Sequence, residues 1–157
     1  IGFLSISKKY LILHKCLLSL KMKKVLTVGV FDLLHIGHIE LFRKAKSHGD
    51  YLVVAVQKSD SVLKYKPQSN LVYSTEERCY MVKSIRYVDD VVEYDGVDEL
   101  VKLVDFDVFV KGPDQSHSGF VSAMEYCRNN NKEIVELPRT DGVSTSELKH
   151  LIAMMHK

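Results

Sequence analysis

Two histidines stand three residues apart in the segment Gly29-Val30-Phe31-Asp32-Leu33-Leu34-His35-Ile36-Gly37-His38, where an apolar run gives way to helical periodicity. At the start of a helix, residues three apart share one face and flank its positive dipole end. Such a terminus attracts phosphate, and two imidazoles add donors aimed at the same oxygens. Gly29 is read as permitting a sharp turn at the strand end and Gly37 as leaving room for a phosphate near the backbone. Two histidines on a plain surface cap are the ordinary alternative, and a zinc site has no third ligand nearby.

A second constellation, Arg139-Thr140-Asp141-Gly142-Val143-Ser144-Thr145-Ser146, follows the last apolar run and opens the last periodic segment. Hydroxyls and free amides at a helix start, with an arginine just upstream, make a second anion cradle, although the same residues also make a good N-cap. Lys64 and Lys66 fall in a long loop. They are either solvated or poised to neutralise charge on a reacting phosphate. Asp114, in Lys111-Gly112-Pro113-Asp114, either accepts from an exocyclic base amine or caps the helix after it.

These groups need a scaffold that brings strand ends and helix starts together. Short β-branched runs predict strands at 25–30, 51–56, 90–94, 107–111 and 133–137. Helical periodicity predicts helices at about 38–48, 75–87, 97–104, 118–130 and 145–156, with irregular stretches at 57–73 and 112–118. Ser74-x-x-Glu77 and Ser144-x-x-Glu147 fit capping boxes. Strand alternating with helix predicts an α/β fold, a doubly wound, five-stranded parallel sheet with helices on both faces and the ligand outside the strands' carboxyl ends.

The 157 residues, 46% hydrophobic and 27% charged, suffice for one domain. Residues 1–21 hold four lysines and no acid, which takes the remainder from +2 to −2, too little positive charge for a nucleic-acid partner. Met22 precedes Lys23-Lys24-Val25 as a start codon would, so 1–21 is read as an N-terminal extension and 22–157 as the catalytic domain. The run from Tyr10 to Leu20 is interrupted by His14 and Lys15 and is too short and charged to span a membrane. Three cysteines, Cys16, Cys79 and Cys127, make no disulfide framework. They point to a reducing, cytoplasmic setting and are assigned no chemistry.

The motifs resemble those of the cytidylyltransferase family, the group that includes glycerol-3-phosphate, ethanolamine-phosphate and choline-phosphate cytidylyltransferases, over about residues 23–152. His35-Ile36-Gly37-His38 matches the family's HxGH signature, Arg139 to Ser146 its RTxGxST signature, and Arg86-Tyr87-Val88-Asp89 its RYVDE-like segment. The resemblance implies a Rossmann-like nucleotidyltransferase in which His35, His38, Lys66 and Arg139 act on the CTP phosphates. By the same resemblance Gly29, Val30, Phe31, Gly37, Lys64, Thr140, Ser144 and Thr145 bind nucleotide, and Asp114 faces the cytosine. Arg78 and Arg86 match basic positions that reach the acceptor phosphate or a dimer partner, and a homodimer is implied. Val30 stands where glycerol-phosphate enzymes often have threonine, and the chain has no Trp, so cytidylyl transfer is implied more firmly than the acceptor.

The expected reaction is in-line attack by a phosphorylated alcohol on the α-phosphorus of CTP, releasing pyrophosphate, with Mg²⁺ carried mainly by the triphosphate. Asp32 is either a helper or structural. An adenylyltransferase using ATP is the nearest alternative, and a non-catalytic nucleotide-binding module is another. A fragment of a tRNA synthetase fails on size and charge.

Overall fold

In the computed structural model, which describes residues 22–155, the apolar runs form five parallel strands. These are β1 (Lys24–Gly29), β2 (Tyr51–Gln57), β3 (Asp90–Tyr94), β4 (Val108–Lys111) and β5 (Glu133–Glu136). The six helices among the described residues are α1 (Ile36–Lys46), α2 (Ser59–Tyr65), α3 (Thr75–Lys83), α4 (Val97–Leu103), α5 (Ser118–Asn129) and α6 (Thr145–Met155). The sheet order β3-β2-β1-β4-β5 makes this a Rossmann-like α/β fold. The chain builds outward from β1 in one direction and then in the other, leaving a crevice between the carboxyl ends of β1 and β4.

The alternation of side chains along the strands explains why both faces are covered. Leu26, Val28, Val53, Ala55 and Phe109 point to one face, where Val97, Leu100 and Val101 of α4 and Phe120, Ala123 and Cys127 of α5 bury them. Val25, Leu52, Val54, Val56, Val108 and Val110 point to the other, against Phe42 and Ala45 of α1 and Val82 of α3. Each face therefore has its own apolar cluster, and the sheet is doubly wound as its composition requires.

The element boundaries moved at two places that matter to the site. Residues 59–65, expected to be irregular, form α2. It is a seven-residue helix with no side-chain cap, so it carries little sequence signal. It is held from outside, by burial of Val62 and by Ser61 Oγ donating to Asp95 Oδ1 at 2.6 Å. Helix α1 begins at Ile36, earlier than expected, because His35 itself is the N-cap. The Ser74 capping box forms as read, with Ser74 Oγ accepting from the Glu77 amide at 3.2 Å and Glu77 Oε2 accepting from the Ser74 amide at 2.8 Å. The expected extension at 1–21, with Cys16, lies outside the described residues.

Candidate active site

The turn from β1 into α1 is built by left-handed residues that are not glycine. Phe31 (φ 55°) and Leu33 (φ 47°) occupy that region, a local strain of the kind that concentrates at functional sites. Gly29 is not left-handed; its role is to make room. A Cβ there would lie 2.8 Å from the Phe31 ring, and that ring, 4% exposed, packs edge-on against both His38 and Phe42. Gly37 serves the same purpose for His35, whose ring folds back to within 2.9 Å of where a Cβ would be.

The two histidines cap their own helix. His35 Nδ1 accepts from the Gly37 amide at 3.1 Å, and His38 Nδ1 accepts from the His35 amide at 3.4 Å. An Nδ1 that accepts carries no proton, so in each neutral ring the hydrogen is on Nε2. The capping bonds thus turn both rings into donors. The imidazoles stack with centroids 3.8 Å apart. Burial lowers both pKa values; for His38, burial and then the neighbouring His35 outweigh the opposing charge of Asp32 and push it down to about 3.

Between about pH 6.5 and 3 the unfolded chain binds a proton on His38 that the folded protein refuses, so stability falls as pH drops through that window and is flat above it. Wild type should lose about 2 kcal/mol from this group between pH 7 and 5. His38→Asn should lose correspondingly less, as read by urea unfolding at the two pH values.

Across the crevice lies the start of α6. Ser144 Oγ accepts from the Glu147 amide at 3.1 Å. Thr145 Oγ1 donates to the Asp32 carbonyl at 2.9 Å and lies 3.5 Å from His35 Nε2. The two helix starts therefore meet through a hydroxyl and an imidazole. Arg139 forms a two-pronged ion pair with Asp114, Nε to Oδ1 at 2.8 Å with an Nη2–Oδ2 contact beside it. The guanidinium holds the carboxyl below its usual range. One cavity of about 600 Å³ takes in His35, His38, Lys66, Asp114, Arg139 and Thr145, within the size range of sites for small ligands. Gly29, Val30, Phe31, Gly37, Thr140 and Ser144 also border it.

Three of the expected residues are placed elsewhere. Lys64 is exposed on α2 and does not border the cavity, whereas Lys66, just past the helix end, does. The difference follows from where the helix stops: Lys66 is its C-cap, and the chain there turns toward the crevice. Arg86 is exposed over the Tyr87 ring, 5.7 Å from its centroid, and also outside the cavity. Arg78 has no exposed surface at all, which corrects its expected contact with an acceptor or a second subunit. Its five N–H groups donate to Val30 O, Gln57 O, Tyr73 O, Ser59 Oγ and Thr75 Oγ1 at 2.7–3.3 Å. It ties the β1–α1 turn to the end of β2 and to the starts of α2 and α3.

Asp32, left open between helper and structural, is 3% exposed and holds the site's walls together. Its carboxylate accepts from the amides of Val72 and Tyr73 at 3.1–3.2 Å and from Lys149 Nζ at 2.8 Å. Burial raises its pKa, but Lys149 and the two amides outweigh that and keep it lowered. Lys149 also donates to the Asn70 carbonyl, so one ion pair joins α6 to the loop after Lys66. Lys149 was not singled out from sequence, although its place one turn after Thr145 was the available signal. Gln115 was also missed: its side chain accepts from the Gly112 amide and donates to Val28 O, which docks the 112–115 loop onto β1.

The comparisons with known proteins agree with this geometry. A family model described as cytidylyltransferase-like matches residues 26–151. The chain is 42% identical over 135 residues to the glycerol-3-phosphate cytidylyltransferase of Bacillus subtilis (strain 168), covering 84% of this chain and 98% of that protein. It is 36% identical to an FAD synthase of Thermococcus kodakarensis, over 82% of this chain and 90% of that one. Among solved structures, a lipopolysaccharide core biosynthesis protein from Thermoplasma volcanium superposes with a TM-score of 0.66 at 25% identity, covering 77% of this chain and all of the other. A signature pair that faces itself across one crevice and a family match spanning nearly the whole described chain lead to the same conclusion: the chain belongs to the cytidylyltransferase-like family.

Proposed function

We propose that this protein transfers the cytidylyl group of CTP to a small phosphorylated alcohol, with glycerol 3-phosphate as the acceptor. The observation that carries the reading is the convergence of the α1 and α6 starts, with two Nε2–H donors between them, on one cavity that also holds Lys66 and Arg139. An oxygen of the acceptor's phosphate attacks the α-phosphorus as the bond to the bridging oxygen breaks, and pyrophosphate leaves with that electron pair. The protein needs no nucleophile of its own.

Each side chain then has a task. His35 and His38 donate to oxygens around the α-phosphorus, where negative charge builds up in the transition state, and being neutral and pre-aimed they need little reorganisation. Lys66 and Arg139 offset charge on the β- and γ-phosphates. Asp114 exchanges its bond with Arg139 for one to the cytosine amine when CTP enters. Mg²⁺, when bound with the triphosphate, supplies further charge neutralisation. Among the described residues no three His, Cys, Asp or Glu side chains cluster to hold an ion, so its ligands would be the phosphates and water.

A homodimer is assigned on the strength of the family resemblance alone, which also leaves Arg86 either at the acceptor phosphate or at the dimer interface. The odd number of cysteines in the sequence supports a cytoplasmic location, and the two described, Cys79 and Cys127, are free. Among the described residues no helix is long and apolar enough to cross a membrane.

The test is a pyrophosphate-release screen of CTP and ATP against glycerol 3-phosphate, phosphoethanolamine, phosphocholine, ribitol phosphate and sugar phosphates. Release from CTP with glycerol 3-phosphate is expected. Turnover of ATP with CTP ignored would replace the reading by the adenylyl alternative, for which the relative named FAD synthase stands. CTP binding without release with any acceptor would make the protein a nucleotide-binding module.

A further inference from the structure

From Leu63 to Glu77 no residue is buried, so the stretch that carries Lys66 to the crevice has no apolar core to fix it. Its position depends on polar bonds. The amides of Lys66 and Ser69 close only local turns, onto the carbonyls of Val62 and Lys66. The bonds that tie the loop to other elements gather further on. Val72 and Tyr73 donate to the Asp32 carboxylate, the Tyr73 carbonyl accepts from Arg78, and the Asn70 carbonyl accepts from Lys149. Along the chain after Lys66, Lys149 therefore supplies the first of these anchors.

Helix α6 is in a similar condition, since none of its residues is buried. Thr145 and Lys149, four apart and so on one face, both meet Asp32. Thr145 Oγ1 donates to its carbonyl at 2.9 Å and Lys149 Nζ to its carboxylate at 2.8 Å. Asp32 is the fixed point, 3% exposed and set between the left-handed residues Phe31 and Leu33. Two elements with little packing of their own share this post, and Lys149 is the side chain that joins them. Segments with few buried contacts open at low free energy, so their few bonds decide where they rest.

We propose that Lys149 is a positioning residue for Lys66: by bridging Asp32 and the Asn70 carbonyl it holds the loop in the conformation that aims Lys66 into the cavity, and only while α6 is docked. This rests on the proposed reading of Lys66 as a phosphate contact. Ser144 and Thr145, at the start of the same helix, border the cavity. Nucleotide bound there steadies α6 and, through Lys149, the loop. Lys149 borders the cavity as well, but its ammonium is committed to Asp32 and Asn70, so its influence on a phosphate passes through the loop.

A double-mutant cycle separates this role from a general loss of structure, because two residues acting through one contact give non-additive effects. Inorganic pyrophosphate affinity by calorimetry, and pyrophosphate release from CTP with glycerol 3-phosphate, are measured for wild type, Lys149→Met, Lys66→Met and the double variant. Lys149→Met is expected to weaken pyrophosphate about tenfold in the wild-type background and less than about twofold when Lys66 is already methionine. Turnover should follow the same pattern, and Lys149→Arg, which keeps a cation with several donors, should restore part of both. Thermal melts check folding, and Lys149→Gln, which keeps one donor, goes through the same cycle should methionine unfold the chain. An equal loss in both backgrounds, or wild-type affinity in Lys149→Met, would overturn the proposal. Unchanged affinity in Lys66→Met alone would overturn it at its root, by removing Lys66 from the phosphates. The affinity cycle needs no turnover, so a failure of cytidylyl transfer in the wild type is seen separately, in the release assay.

Discussion

His38→Ala is expected to lower the rate of cytidylyl transfer by about two to three orders of magnitude, the usual effect of removing one aligned donor from a developing oxyanion. Alanine removes two functions at once, so two further variants divide them. Asparagine places an oxygen near the position of Nδ1, where it can accept from the His35 amide and keep α1 capped, but it does not reach the phosphate. Glutamine carries an amide N–H out to the position of Nε2 while losing the cap. The expected pattern is an asparagine variant as stable as wild type above pH 6.5 and almost inactive, and a glutamine variant less stable by about 1 kcal/mol yet more active than asparagine. Steady-state pyrophosphate release and urea unfolding report the two properties. Near-normal turnover in the alanine or asparagine variant would remove His38 from the transition state.

Arg78→Ala is expected to cost about 3 kcal/mol of stability or more, a fall in Tm of roughly 10 °C for a domain of this size. The reason is what is left behind. The carbonyls of Val30, Gln57 and Tyr73 would lose their guanidinium donors in the interior, and a buried acceptor without a partner carries its full desolvation cost. Lysine should not rescue it, because a single ammonium cannot reach five acceptors arranged around a planar fork. Since Val30 belongs to the turn that aims His35, the KM for CTP should rise as well. A melting temperature within 2–3 °C of wild type would mean that water or a local shift satisfies these groups, and that the hub is less important than its bonds suggest.

Both predictions concern residues that stood out in the sequence, but for different reasons. His38 was legible because its chemistry is local: the spacing to His35, the flanking glycines and the strand-to-helix context all lie within ten residues. What stayed hidden was that each ring spends Nδ1 on capping, which decides the tautomer. Arg78 was marked only by its match to a basic position of the resembled family, and its exposed or buried position depends on packing. Its acceptors come from positions 30, 57, 59, 73 and 75, a set that only the folded chain assembles. Lys64 and Lys66 differ in the same way. Two residues apart in one loop, they are told apart only by the family resemblance, which favours Lys66, until α2 forms and its end at Tyr65 turns the second toward the crevice.

By itself the sequence determined the order of the strands and of every helix except α2, the doubly wound parallel sheet and the two signatures that meet at its edge. Those depend on periodicity and on short-range capping, which a linear pattern records directly. The tertiary structure decided which cations face the cavity and how Asp32 and Lys149 join α6 to the loop after Lys66. Burial and partnership between residues 40 to 117 positions apart are set by the packing of whole elements, and no local spacing encodes them.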